Sequence, residues 1–159
     1  MSQRLNYTQA APAVFKAFQA FSLAVKSSSL EKGLLHLIDL RASQINGCAF
    51  CVDMHVKEAR LHGERELRLH HVTVWRESSL FSARERAAFA WTETLTRLDG
   101  KPVPEEAFQA VRAEFSETEL SELTFAIMAI NGWNRVSIGF ASVPGALDSV
   151  YGLDKAGLN

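Results

Sequence analysis

The sequence predicts an all-α protein with no sheet, and three observations carry that prediction. Apolar residues recur at three- and four-residue spacing along almost the whole chain, the pattern of helices that bury one face. Val, Ile and Thr do not gather into the alternating runs of about four to eight residues that half-buried strands need. Two Ser-x-x-Glu patterns and several glycine breaks punctuate the periodic stretches as helix starts and stops.

About seven helices follow in order. The first covers residues 9–26, with Val14, Phe15, Phe18, Phe21 and Leu23 as its apolar residues, and a serine triplet at 27–29 ends it. The second covers 30–44 on a stripe of Leu34, Leu37, Ile38 and Leu40. Asn46-Gly47 is a turn signal, so a third helix starts near Cys48 and runs to Leu61, where His62-Gly63 closes it. A shorter helix spans 64–75. Ser82 with Glu85 opens another at 83–97, which stops at Asp99-Gly100 and the KPVP connector. Residues 105–114 form the sixth. Ser116 with Glu119 opens the last, whose stretch LTFAIMAI is apolar on nearly every side and so predicts burial all round.

The 159 residues are read as a single domain, 1–159, long enough to bury roughly 70% of the unfolded chain's surface. Seventeen basic and eighteen acidic side chains give a net charge of -1 in short alternations. That balance offers no electrostatic footprint for nucleic acid or an anionic membrane. The first residues lack the layout of a signal peptide and no apolar run approaches the ~20 residues of a membrane span, so a cytoplasmic location is expected.

The chemistry concentrates in SQINGCAFCVDMH, residues 43–55, which hold both cysteines of the chain. On a helix, Cys48, Cys51 and His55 fall within about 60° of one another, so two sulfurs and an imidazole share one face. Cys51 and His55 are an i,i+4 pair, close enough for the ring to take the thiol proton or to stabilise the thiolate. The first helical turn adds free backbone N–H groups that favour an anion. Lowering a thiol pKa from ~8.5 to ~7 raises the thiolate fraction at pH 7 roughly fifteenfold. A thiolate that meets a hydroperoxide becomes a sulfenic acid, which a cysteine one turn away condenses with to a disulfide. Geometry favours Cys51 as the attacking sulfur, with Cys48 resolving and, nearer the helix end, more open to an external reductant.

Other readings of the same turn compete. Haem attachment requires His directly after the second Cys, and here Val52 follows. A thioredoxin-like site wants its C-x-x-C beside a βαβ pattern, which the chain does not show. Structural zinc needs four ligands and only two cysteines exist, so His36, His55 and His62 would have to converge with the thiols. The plain alternative is two small buried cysteines and a satisfied histidine. Glu58, one turn beyond His55, either orients the imidazole or is an exposed helix glutamate. His70 and His71 receive no role. The tripeptide Ile-Asn-Gly occurs twice, at 45–47 and 130–132, with Trp133 and Val136 standing where the first copy has Cys48 and Cys51.

The segment LIDLRASQINGCAFCVDMHVKEAR, residues 37–60, closely resembles the carboxymuconolactone decarboxylase-like superfamily and, within it, alkylhydroperoxidase AhpD-type proteins; FSARERAAFAWTETL (81–95) and AINGWNR (129–135) resemble the same group. The resemblance implies an AhpD-like helical fold assembling into trimers or hexamers. It also implies thiol-dependent reduction of organic hydroperoxides without flavin, haem or metal, and a dithiol partner such as a lipoyl-bearing or thioredoxin-like protein. It puts the nucleophile on Cys51, its partner on Cys48 and the proton-relay histidine on His55. The pattern has a glutamate twelve residues before the first cysteine where this chain has His36, so His36 is either a relay residue with a different protonation range or a surface histidine. Trp133, Asn134 and Arg135 are expected in packing and subunit contact. Two further functions stay open: a lactone decarboxylase-type lyase of the same superfamily, and a redox-sensing interaction protein switched by the Cys48–Cys51 disulfide.

Overall fold

A computed structural model describes residues 2–158. Those residues form nine α-helices and two 3-10 turns, with no strand among them. Two of the nine, α1 (Tyr7–Ala10) and α9 (Asp148–Tyr151), are single four-residue turns. The seven longer ones are α2 (Pro12–Lys26), α3 (Lys32–Asn46), α4 (Ala49–Leu61), α5 (Glu66–His71), α6 (Ala83–Thr96), α7 (Glu105–Arg112) and α8 (Glu117–Gly139). No helix among the described residues is long and apolar enough to cross a membrane.

The boundaries follow local chemistry. The helix expected at 9–26 is split, because Ala11 precedes Pro12 and takes φ -137°, ψ 62°, out of the helical region that a following proline disfavours. Both predicted capping boxes form: the Ser82 and Ser116 hydroxyls accept the N–H of Glu85 and Glu119, and each glutamate accepts its serine's N–H in return. Gly47 ends α3 at φ 68°, a left-handed conformation that glycine adopts without a Cβ penalty.

The core is organised around α3, which packs against α4, α6 and α8. Ile38 and Leu34 meet Trp91, Leu123 and Ile127 in one apolar cluster. Leu37 and Leu40 meet Ala59, Phe89 and Trp75 in a second. Leu37, Ile38 and Leu40 are fully buried, and each such side chain contributes about 1.5–3 kcal/mol.

Two expectations from the apolar pattern are corrected. The first helix presents no fully buried residue, and Val14 and Leu23 lie exposed: α2 is a peripheral strap over α8. Nor is LTFAIMAI buried all round, since Phe125 and Met128 of α8 are 52% and 53% exposed. Partners cover α8 on the sides facing α3, α6 and α2, which leaves an outward stripe.

The repeated tripeptide is in contact with itself. Asn46 Nδ2 donates to Asn131 Oδ1 at 3.0 Å and to Asn134 Oδ1 at 2.7 Å. Asn134 donates in turn to Ser43 Oγ at 3.0 Å, so the second copy pins the turn that the first copy makes. The glycines serve different purposes. Gly47 supplies a positive φ, whereas Gly132 lies inside α8, where an added Cβ would sit 2.5 Å from Phe18 Cζ.

Candidate active site

The turn at Gly47 reverses the chain from α3 into α4, and Cys48 becomes the N-cap of α4. A disulfide joins Cys48 to Cys51, with Cα atoms 5.3 Å apart. Cys48 Sγ also accepts the backbone N–H of Cys51 at 3.3 Å. The sulfurs therefore sit where the free donors of a helix start can stabilise negative charge.

Cys51 opens onto a cavity of about 300 Å³. Its walls come from five directions: Tyr7 of α1, Phe15, Leu23 and Lys26 of α2, Asp39 of α3, Cys51, Met54, His55 and Glu58 of α4, and Ile130 and Trp133 of α8, with Leu147 and Tyr151 closing it from the C-terminal segment. The lining is largely aromatic and aliphatic, and its charged groups, Lys26, Asp39 and Glu58, gather around His55. Trp133 is held in the wall by donating Nε1–H to Ser22 Oγ at 2.7 Å and by packing on Phe18 with centroids 4.5 Å apart and planes tilted by 39°. The C-terminal wall is fastened by the buried Lys57, whose ammonium donates to Asp53 and Asp148. Asp53 also accepts the Gly145 N–H at 3.0 Å.

His55 is buried between two carboxylates. Its Nδ1 lies 2.9 Å from Glu58 Oε2 and 3.9 Å from Asp39 Oδ2, and Lys26 donates to the other oxygen of Glu58 at 3.1 Å. Burial alone disfavours the charged ring, but the Asp39 charge and the hydrogen bond and charge of Glu58 outweigh it and hold the imidazolium above the ordinary histidine range. Glu58 is held down at about 2: burial opposes its ionisation, and His55 and Lys26 override that cost. Asp39 moves the other way, to about 6, because burial exceeds the pull of His55 and Lys26 and Glu58 adds repulsion. With Nδ1 donating to Glu58, Nε2 is the ring nitrogen left to exchange a proton.

Of the four residues singled out in sequence, Cys48, Cys51 and His55 come together at the start and second turn of α4. His36 does not join them on the cavity wall. Its ring packs on His62 with centroids 4.6 Å apart, and its Nε2 is buried without a partner. Burial lowers its pKa to about 4; Glu58 opposes this, and His62, His55 and Lys26 reinforce it. The expectation that Cys48 is the more open sulfur is also reversed. Cys48 is 1% and Cys51 2% exposed, and of the two it is Cys51 that faces the cavity.

Sequence reasoning missed Asp39 and the aromatic wall. Asp39 carried a signal: it stands between Ile38 and Leu40 in the apolar stripe of α3, where an acid needs a partner. Trp133 carried none beyond its place directly after the repeated tripeptide, in a segment read as packing and subunit contact.

These features define a class of all-helical proteins built around a Cys-x-x-Cys-x-x-x-His turn. The chain belongs to the carboxymuconolactone decarboxylase family, whose sequence pattern matches residues 12–94. It is 39% identical over 142 residues to the uncharacterized protein YdfG of Bacillus subtilis (strain 168), covering 89% of this chain and 97% of that one. A solved structure from Agrobacterium tumefaciens, a protein of unknown function proposed to be an antioxidant defence protein AhpD, superposes with a TM-score of 0.87 at 47% identity. The match covers 91% of this chain and 99% of the other. The debrominase Bmp8 shares the fold, with a TM-score of 0.80 at 19% identity over 94% of this chain and 80% of its own.

Proposed function

We propose that this protein is a thiol-dependent peroxidase that reduces organic hydroperoxides at Cys51. The observation that carries the reading is that Cys51 and His55, with Glu58 and Asp39 around the imidazole, face one largely apolar cavity while Cys48 stands within bonding reach of Cys51.

In the reduced protein the Cys51 thiolate attacks the terminal oxygen of the hydroperoxide, and the O–O bond breaks. The departing alkoxide takes a proton from the His55 imidazolium and leaves as an alcohol, with Cys51 as sulfenic acid. Neutral His55 then accepts the Cys48 thiol proton. The Cys48 thiolate attacks Cys51 Sγ, and the expelled hydroxide takes the proton from His55 to leave as water. A dithiol returns the pair to the reduced state. Glu58 fixes the imidazole and Asp39 supports its charge, so this relay runs without His36. The apolar walls favour a compact hydrocarbon-bodied hydroperoxide over hydrogen peroxide.

Assembly belongs to the same reading. Phe21 and Phe125 meet with ring centroids 6.2 Å apart at the α2–α8 seam, and with Met128 they form an outward apolar patch. A homo-oligomer, trimer or hexamer, covers that patch.

Stopped-flow oxidation of the reduced protein by cumene hydroperoxide tests the reading. Cys51→Ser abolishes it, whereas Cys48→Ser gives one oxidation to sulfenic acid without recycling. Undiminished turnover in Cys51→Ser with a dithiol donor overturns it. Bmp8 shares only the fold, and a brominated pyrrole in the same assay is expected to leave the thiols unoxidised.

A further inference from the structure

We propose that the oxidised pair is reduced through the same cavity, and at the same sulfur, that meets the peroxide: an external dithiol attacks Cys51 Sγ, and Cys48 is the leaving thiolate. The inference rests on the thiol-peroxidase reading for its biological setting, but its geometry stands by itself.

Two observations bear on which sulfur is attacked. The first is access. Both cysteines are almost wholly covered, and it is Cys51 that forms part of the cavity wall. The neighbouring groove, lined by Phe21, Ala24, Val25, Ser28, Glu122 and Phe125, reaches neither sulfur. The second is the leaving group. Cys48 Sγ accepts the Cys51 N–H at 3.3 Å, and its own backbone is tied by its N–H to Ser43 O at 3.0 Å and by its carbonyl to the Val52 N–H at 2.9 Å. A thiolate expelled onto Cys48 is thus received by a fixed donor at a helix start. That donor lowers the cost of a thiolate on Cys48; Cys51 has its own stabilisation from His55, so access decides which sulfur is attacked.

The step balances with a dithiol as the only reductant. Its first thiolate bonds to Cys51 Sγ, the Cys48–Cys51 bond breaks, and Cys48 takes the electron pair. The second thiol gives its proton to His55 and attacks the reductant sulfur held on Cys51. The dithiol closes to a cyclic disulfide and Cys51 leaves as thiolate. Of the two thiol protons, one ends on Cys48 and one on His55. The products are the thiolate and the imidazolium that the peroxide half-reaction starts from.

The route restricts the partner. Cys51 is 2% exposed at the wall of a cavity of about 300 Å³, so a small dithiol on a narrow alkyl arm is expected to reach it more readily than a cysteine fixed on a folded protein's surface. It also makes peroxide and reductant mutually exclusive occupants.

The test traps the exchange without peroxide. Oxidised protein is mixed with excess 5-thio-2-nitrobenzoate, quenched in acid and blocked with N-ethylmaleimide, and the tryptic peptide of residues 42–57 is sequenced by mass spectrometry. The adduct is expected on Cys51, with maleimide on Cys48; an adduct on Cys48 overturns the inference. Where the mixed disulfide is too short-lived to trap, Cys48→Ala and Cys51→Ala are compared against 5,5′-dithiobis(2-nitrobenzoate), with guanidinium-unfolded controls. The thiol of Cys51 in the first variant is expected to react at least about tenfold faster than that of Cys48 in the second, and only while folded; equal native rates overturn the proposal. Exchange at Cys51 in a protein that consumes no hydroperoxide refutes the peroxidase and leaves this inference standing. A working peroxidase with its adduct on Cys48 does the reverse.

Discussion

Asp39 Oδ2 lies 3.9 Å from His55 Nδ1, the same ring nitrogen that makes the 2.9 Å hydrogen bond with Glu58. Two carboxylates thus serve one ring, and they titrate far apart: Glu58 at about 2 and Asp39 at about 6. Glu58 has the direct hydrogen bonds, whereas Asp39, mostly buried in the cavity wall, has only longer-range attractions to His55 and Lys26.

That difference gives Asp39 a stability signature. Its folded pKa of about 6 exceeds the reference value of 3.8, so the fold favours the protonated acid. The contribution is full below pH 4 and lost as pH rises through 6. Asp39→Asn is therefore expected to be more stable than the parent at pH 8, by on the order of 1–3 kcal/mol, and equal to it near pH 4. Denaturant melts at the two pH values check this; a loss of stability at pH 8 contradicts it.

Glu58→Gln acts on the rate. Without that charge and hydrogen bond, the His55 pKa falls, and the imidazolium that protonates the departing alkoxide is lost at a lower pH. The alkaline limit of peroxide oxidation is expected to move down, with a drop of about tenfold or more at pH 8. A pH profile of the half-reaction distinguishes this from misfolding, which lowers the rate at every pH.

His36 should show itself in acid. Its pKa is held near 4, below the unfolded value of about 6.5, so its stabilising contribution is full above 6.5 and is lost as pH falls towards 4. His36→Gln is expected to flatten stability between those limits, measured by thermal melts, while peroxide oxidation at pH 7 stays within about twofold. A tenfold loss of that rate would return His36 to the relay.

Gly132→Ala sets helix propensity against packing. Alanine favours a helix interior by about 1 kcal/mol over glycine. Here its Cβ overlaps Phe18, whose ring is confined by Phe21 and Trp133. Overpacking of this kind costs about 1–3 kcal/mol, so a net fall in melting temperature is expected. Phe18→Ala in the same chain should relieve it; a harmful effect that persists there shows that the clash is elsewhere.

Phe125→Glu tests assembly. Sedimentation of the parent as trimer or hexamer and of the variant as a smaller species supports burial of the α2–α8 patch between copies. An unchanged distribution rejects that surface.

The fold class was legible because each helix carries its own punctuation. The two serine capping boxes and the Asn46-Gly47 break act within a few residues, and local hydrogen bonds decide their outcome whatever lies beyond; the break before Pro12 is equally local, but the apolar pattern reads through it. The face on which Cys48, Cys51 and His55 converge was legible for the same reason, since i, i+3 and i+7 spacing on one helix fixes relative direction. Amphipathic pattern proved less secure. The apolar residues of α2 and of LTFAIMAI say that a surface wants covering, but an outer patch and an inner core satisfy that statement equally, and Val14, Leu23, Phe125 and Met128 lie outside.

Sequence alone therefore determined most of the helices, the Cys-x-x-Cys turn and the histidine on its face. Only the tertiary structure decided which groups surround them. Asp39 reaches His55 because α3 folds back on α4, and His36, one turn earlier on α3, faces His62 instead. Cys51 meets a cavity because α2, α8 and the C-terminal segment enclose that side of α4, whereas Cys48, 1% exposed, is not part of its wall. Distances between helices depend on how side chains far apart in the chain pack, and no local spacing encodes them.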